Sequence, residues 1–235
     1  MLTNYLKVSI ALIRTYTIVL WITGIVAGIN VSNFVLFCLS SQPTRPLSFV
    51  SSLITILSMA TIYGIYYELI ENRYTSMKEI FSKYAFDYLL LNILMAVPFG
   101  SILLLIVYIN PELLGLELQN TISIFFKVLF IYVTPIFYVQ NKIGASLIDG
   151  VKYLFSNIQA SIPILAAVII FNVLHILAKT KMFWLFDVNR FFFVLFQYAV
   201  LVTSFLFDYG LFIILILIIT NKYEDLVGSD LIRMS

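Results

Sequence analysis

Six stretches of the chain, estimated at 16–38, 48–70, 88–109, 121–140, 158–178 and 191–220, are apolar over the roughly 20 residues that a helix needs to cross a hydrocarbon core. No water is available inside a bilayer to satisfy backbone N–H and C=O groups, so each run has to close its own hydrogen bonds as a helix. The expected fold is therefore all-α, a polytopic membrane bundle of six transmembrane helices. A hydrophobic fraction of 62%, a charged fraction of 11% and a mean hydropathy of +1.03 lie far from the composition of soluble domains. Residues 1–235 are expected to form a single membrane domain.

Lys7 and Arg14 precede the first apolar run, as in a signal peptide. That run continues well past a typical h-region and no small-x-small cleavage site follows, so the segment is expected to be retained. Within 1–15, Leu2, Tyr5, Leu6, Ser9 and Ile13 recur at helical spacing, with Asn4, Lys7 and Arg14 on the other side. This pattern predicts a helix lying in the membrane interface.

The cations orient the spans. Lys7, Arg14, Arg73, Lys78, Lys83, Lys142, Lys152, Lys222 and Arg233 fall on one side; Arg45, Lys179, Lys181 and Arg190 fall on the other. The richer side is expected to be cytoplasmic, which places both termini there, with residues 221–235 as a tail.

Both cytoplasmic connections are amphipathic. Met77, Ile80, Phe81, Tyr84 and Tyr88 form one apolar stripe, opposite Lys78, Glu79, Ser82, Lys83 and Asp87; Leu147, Ile148, Val151, Leu154 and Phe155 form the other, opposite Asp149, Lys152 and Ser156. Helices of this kind are expected to lie against the headgroups or under the bundle. Each even-numbered span is followed by Asn, a cation and an apolar or aromatic residue: Asn72-Arg73-Tyr74, Asn141-Lys142-Ile143 and Asn221-Lys222-Tyr223. Asn suits a helix end and the cation favours the helix's negative pole, so the six spans read as three hairpins that enter and leave from the cytoplasm. Internal duplication and the common way for helices to leave a membrane explain this recurrence equally well. Pro98, Pro135 and Pro163 fall in the third, fourth and fifth spans, where local kinks are expected.

The run Pro135-x-x-Tyr138-Val139, Gly144-Ala145-x-Leu147, Gly150-x-x-Tyr153-x-x-x-Asn157 resembles a group of prokaryotic six-helix integral membrane proteins of unknown function. It is also similar to the membrane domain attached to some glycerophosphodiester phosphodiesterases. The resemblance is sharp over residues 132–157, and it implies the six-helix fold rather than an activity. The soluble catalytic barrel of the fused enzymes has no counterpart in this chain, and the resemblance carries over no catalytic residue.

Ionisable groups inside spans are costly and so are candidate sites. Asp208 falls near the middle of the sixth span, Lys127 about two turns into the fourth, and Glu68 near the cytoplasmic end of the second. Lys127 and Asp208 could pair across the bundle, or Asp208 could stay neutral. The structural alternatives are an interhelical bond for Asp208, snorkelling for Lys127 and an interfacial place for Glu68. Asn92, Asn172 and Gln197 read as interhelical hydrogen-bonding groups or cavity linings. Gly24-x-x-x-Gly28 would allow close helix approach, within the chain or in a homo-oligomer. Together with Pro135 and Gly144 these glycines are the packing candidates. Phe183, Trp184, Leu185 and Phe186 are expected at the outer interface.

The single Cys38 permits no internal disulfide, and the single His175 has no second ligand pattern, so neither metal nor cofactor is expected. No nucleophile motif surrounds any serine, so no catalytic residue is assigned and the chain is not expected to be an enzyme. The scattered basic residues argue against nucleic acid. The bilayer is the expected partner, together with membrane or cytoplasmic subunits. Two functions fit: a non-enzymatic module binding partner proteins or lipids, or the membrane subunit of an ABC-type exporter energised by a separate ATPase.

Overall fold

In the computed structural model, residues 2–39, 45–73, 75–113, 115–181 and 189–227 are described. The apolar runs become helices α2 (Thr17–Leu39), α3 (Arg45–Ile70), α4 (Met77–Ile109), α8 (Ile158–Lys181) and α9 (Arg190–Thr220), and the pair α5 (Leu116–Leu129) and α6 (Val133–Gln140). Helices α1 (Leu2–Thr15), α7 (Ile143–Ser156) and α10 (Tyr223–Val227) complete the order. Six segments are long and apolar enough to span: Thr17–Leu36, Pro46–Ile70, Met77–Ile109, Leu116–Gln140, Ile158–Lys181 and Arg190–Thr220. Their outward faces carry Trp21, Phe49 and Leu104 at 74%, 71% and 72% exposure, side chains that water would not tolerate in such continuity. The protein is an all-α, multi-pass membrane bundle.

Two expectations are corrected. The first amphipathic connection is not a separate helix: Met77 to Tyr88 forms the opening turns of the 33-residue α4. No helix-breaking residue separates its stripe from the span that follows. At ~1.5 Å per residue α4 is about 50 Å long, well beyond the ~30 Å hydrocarbon thickness, so its first turns protrude or the helix tilts. The fourth span is not one helix, because α5 and α6 are separated by a turn at residues 130–132. Pro135 has no N–H for the Ile131 carbonyl and its ring crowds that group; the chain closes instead with an i→i−3 bond from Val133 N–H to the Phe130 carbonyl, 3.0 Å. Helices α4 and α8 run unbroken through Pro98 and Pro163. Helix α1 buries Tyr5, Val8, Ser9 and Leu12, whereas Leu6 is 48% exposed. That i, i+3, i+4, i+7 face docks on α9, with the Ser9 hydroxyl donating to the Gly210 carbonyl at 3.3 Å.

The chain divides into two compact units, Met1–Phe86 with Ala178–Ser235, and Asp87–Leu177. In the first, α2 and α3 are joined by a polar ladder: Asn30 Nδ2 donates to Thr55 Oγ1 at 2.9 Å, and Asn33 Nδ2 donates to Ser48 Oγ at 3.3 Å and Ser51 Oγ at 3.1 Å. Lipid tails are as apolar as leucine, so side chains like these, more than hydrophobicity, distinguish a helix partner from solvent. Below the ladder α3 and α9 share an aromatic core in which Tyr63 stacks on Phe212 at 4.4 Å and meets Tyr209 edge-on at 5.9 Å.

In the second unit α6, α7 and α8 fold back on one another. Gly150 lets α7 rest on the backbone of Val133 in α6, and Gln140 Nε2 donates to Asp149 Oδ2 at 3.0 Å. Ser161 spends its hydrogen on the Asn157 carbonyl at 2.9 Å, so the Tyr132 hydroxyl, 2.7 Å away, is the donor of that contact. Tyr132 also meets the Tyr153 ring at 4.8 Å. Burial pushes the Tyr153 phenol above its ordinary range.

Among the described residues, Asn72, Asn141 and Asn221 are the non-glycine residues with positive φ, at 55°, 52° and 54°. They are the three asparagines of the recurring sequence triplet. Asparagine tolerates the left-handed conformation better than other side chains do. At the first, Arg73 N–H reaches the Glu68 carbonyl at 2.8 Å and Asn72 N–H the Leu69 carbonyl at 3.0 Å, the paired bonds of a Schellman cap. Tyr74 of the first triplet, the aromatic run 183–186 and residues 228–235 of the tail lie outside the described residues.

Candidate functional site

A cavity of about 440 Å³ opens among α2, α3, the end of α8 and α9 in the first unit. Asn30, Asn33, Ser51, Lys179 and Gln197 supply its polar wall, and Val31, Phe34 and Leu201 its apolar one. The ladder that joins α2 to α3 builds the polar wall, because residues three or four apart share a helix face: Asn30 and Asn33 on α2 meet Ser48, Ser51 and Thr55 on α3. Gln197, which sequence reading offers as a lining group, is there at 6% exposure.

Asn33 gives the cavity its chemistry. Both amide hydrogens go to serines, while Oδ1 is buried with no hydrogen-bond partner. Were the amide turned over, its nitrogen would take that place, so one polar atom of Asn33 stays unsatisfied in either orientation. A buried polar atom in that state costs about 1–3 kcal/mol, which a water or a ligand hydroxyl would recover. The wall of amides and hydroxyls with an apolar flank can hold a polar group attached to a greasy body.

The candidates read from the sequence lie elsewhere. Glu68 is buried: it is 2% exposed, and its Oε1 accepts from Lys83 Nζ at 2.7 Å and the Tyr84 hydroxyl at 2.8 Å. Gly64 makes this geometry possible. It lies one turn earlier on the same face of α3, where a Cβ would come within 2.5 Å of Ile80 and 3.0 Å of Tyr84. The start of α4 therefore comes close enough for Lys83 and Tyr84 to reach the carboxylate. Lys222 Nζ pairs with Glu71 at 2.8 Å, so the ends of α3, α4 and α9 are drawn together by charge.

Asp208 is half-buried on α9 beside Tyr209, whose hydroxyl accepts from Thr23 Oγ1 at 3.3 Å. In the second unit Lys127 donates to Asn172 Oδ1 at 3.5 Å, and Asn92 serves its own helix by donating to the Tyr88 carbonyl at 2.8 Å. A Cβ on Gly24 would meet the Tyr198 hydroxyl at 2.9 Å, so that glycine is used in packing α9 on α2; Gly28 and Gly144 face open space. Pro135 is buried in α6. His175 stacks with Phe171 at 6.0 Å, and among the described residues no group of three metal-ligating side chains gathers.

Sequence reading missed Asn33, the serines of α3, Lys83, Gly64 and the packing role of Gly150. The signal for the cavity was present: polar residues at spacing three or four on both helices of one hairpin. Comparison of the chain with protein-family models, curated proteins and solved structures gives no match.

Proposed function

We propose that the chain is a non-enzymatic module of the prokaryotic cytoplasmic membrane that binds an amphiphile, with both termini on the cytoplasmic side. The observation that carries this reading is the amide- and hydroxyl-lined cavity with one unsatisfied atom on Asn33. A lipid headgroup bearing hydroxyls satisfies that atom as donor or acceptor, and Val31, Phe34 and Leu201 accept its apolar part. The orientation rests on the excess of cations beside Asn72, Asn141 and Asn221. The resemblance of residues 132–157 to six-helix membrane proteins without assigned activity belongs to the same proposal.

Native mass spectrometry of the purified chain tests it. A lipid-sized adduct should be retained by the parent and lost in Asn33→Leu and Gln197→Leu, both still folded at the temperature of the measurement. An adduct that persists in both variants overturns the assignment of the cavity. A stoichiometric ATPase that co-purifies would instead support the exporter-subunit reading.

A further inference from the structure

At the other end of α3 a second cavity, of about 390 Å³, lies among the start of α2, the end of α3 and the start of α4. Ile18, Ile65, Leu69 and Ile80 form its apolar wall, and Arg73 stands at its polar end. The two cavities are distinct: Ser51 and Glu68, one on each wall, are separated by about 26 Å of helix at ~1.5 Å per residue.

Arg73 is under-used. Its nitrogens lie 3.9 Å from Glu68 and 3.8 Å from Glu71, beyond hydrogen-bond reach. Both carboxylates have shorter partners, Lys83 and Tyr84 on Glu68 and Lys222 on Glu71. The Arg73 side chain keeps 55% exposure, so its planar fork of donors is oriented by two anions and consumed by neither. Three cations and two carboxylates make these ion pairs, and the Glu79 carboxylate beside them accepts from the Ser76 N–H at 3.0 Å. The span of α3 ends at Ile70, so Arg73 sits at the depth where headgroups begin.

We propose that Arg73 and this cavity bind one phospholipid, the phosphate held by the guanidinium fork and an acyl chain laid along Ile18, Ile65, Leu69 and Ile80. A fork of parallel N–H donors matches two phosphate oxygens, which an ammonium cannot do. The apolar wall favours a lipid over free phosphate. The site does not depend on the occupant of the amide-lined cavity.

The full chain, purified in detergent and stripped of lipid, is titrated with phosphatidylglycerol, with diacylglycerol and with inorganic phosphate. Binding is read by native mass spectrometry and by the shift in thermal midpoint. Phosphatidylglycerol should add one saturable adduct whose affinity falls about tenfold or more in Arg73→Gln and less in Arg73→Lys. Diacylglycerol should bind poorly, and inorganic phosphate should not compete. Should Arg73→Gln misfold, Met77→Trp, which fills the cavity mouth and leaves Arg73 in place, should also lose the adduct. Undiminished binding in the folded variants overturns the site. Equal binding of diacylglycerol overturns the role of the phosphate, and competition by inorganic phosphate alone overturns the lipid.

Discussion

Two glycines on α7 put the packing of the second unit to a direct test, because the same substitution should move stability in opposite directions. A helical glycine costs about 0.5–1 kcal/mol relative to alanine through lost backbone entropy, so a Cβ that points into open space is stabilising. At Gly144 nothing lies within 4 Å of that Cβ. The position is in the first turn of α7, where the benefit is smaller, and Gly144→Ala should gain about 0.5 kcal/mol. At Gly150 the same atom would lie 2.6 Å from Val133 Cα, 2.7 Å from its Cγ2 and 2.8 Å from its N. Unstrained carbon contacts are about 3.5–4.0 Å, so α6 would have to retreat by about 1 Å. Two of those three atoms are backbone and have no rotamer to escape into. Overpacking against backbone that cannot yield falls in the upper part of the usual range, about 2–3 kcal/mol, and subtracting a propensity gain of about 1 kcal/mol leaves Gly150→Ala destabilised by about 1–2 kcal/mol. For a chain of this size about 1 kcal/mol moves a midpoint by about 2–4 °C, so the two variants should separate by at least ~3 °C. Fluorescence-detected thermal unfolding in one detergent, at one scan rate, measures the difference. If Gly150→Ala matches or exceeds the midpoint of Gly144→Ala, α7 does not rest on Val133 as described.

Three further outcomes can be read in the same assay. Glu68→Gln should lower stability by about 1–3 kcal/mol, short of a fully buried pair because Lys83 is 39% exposed; a cycle with Lys83→Met should show coupling of about 1 kcal/mol, and additivity would remove the ion pair from the account. Asn72→Ala should cost about 1 kcal/mol because φ is 55° there, while Asn72→Gly should change stability by only a few tenths; equal effects would count against the cap. Tyr66→Phe removes a buried hydroxyl that has no partner, so it should leave stability unchanged or raise it by up to ~1 kcal/mol, and a clear loss would mean that the hydroxyl is hydrogen-bonded.

The spans were legible from the sequence because apolar length is a local property, and the bilayer leaves a long apolar run no alternative to a helix. The asparagine caps were legible for a similar reason: left-handed φ at a helix end selects its own residue type, and Asn72, Asn141 and Asn221 could be found by recurrence alone. Whether Met77 to Tyr88 stayed separate from its span could not be seen in this way, since an amphipathic stripe looks the same on a surface helix and on the first turns of a long one. The cavity wall was hidden because its residues are individually unremarkable and gain meaning only when two helices are set in register. Lys83 was read as a solvent-facing charge for the same reason. Only the close approach at Gly64 brings it to Glu68.

That register also bears on the choice between holding a ligand and passing one through. The amide-lined cavity and the Arg73 cavity both lie along α3, and between them Ile62, Tyr66, Tyr209 and Ile213 are buried to 2% exposure or less. The Thr23 and Tyr209 hydroxyls in this tier are turned toward each other rather than toward either cavity. Opening a route between the two sites would separate the Tyr63–Phe212 stack and expose several large side chains, each worth about 1.5–3 kcal/mol of burial. Such a cost makes the open route a sparsely populated state, whereas two ligands held at the two ends of α3 would stabilise the closed tier. Binding without passage therefore fits the packing of this unit better. The discriminating result is thermal: saturating both cavities should raise the midpoint by the sum of the separate shifts, because sites this far apart with a rigid tier between them do not couple.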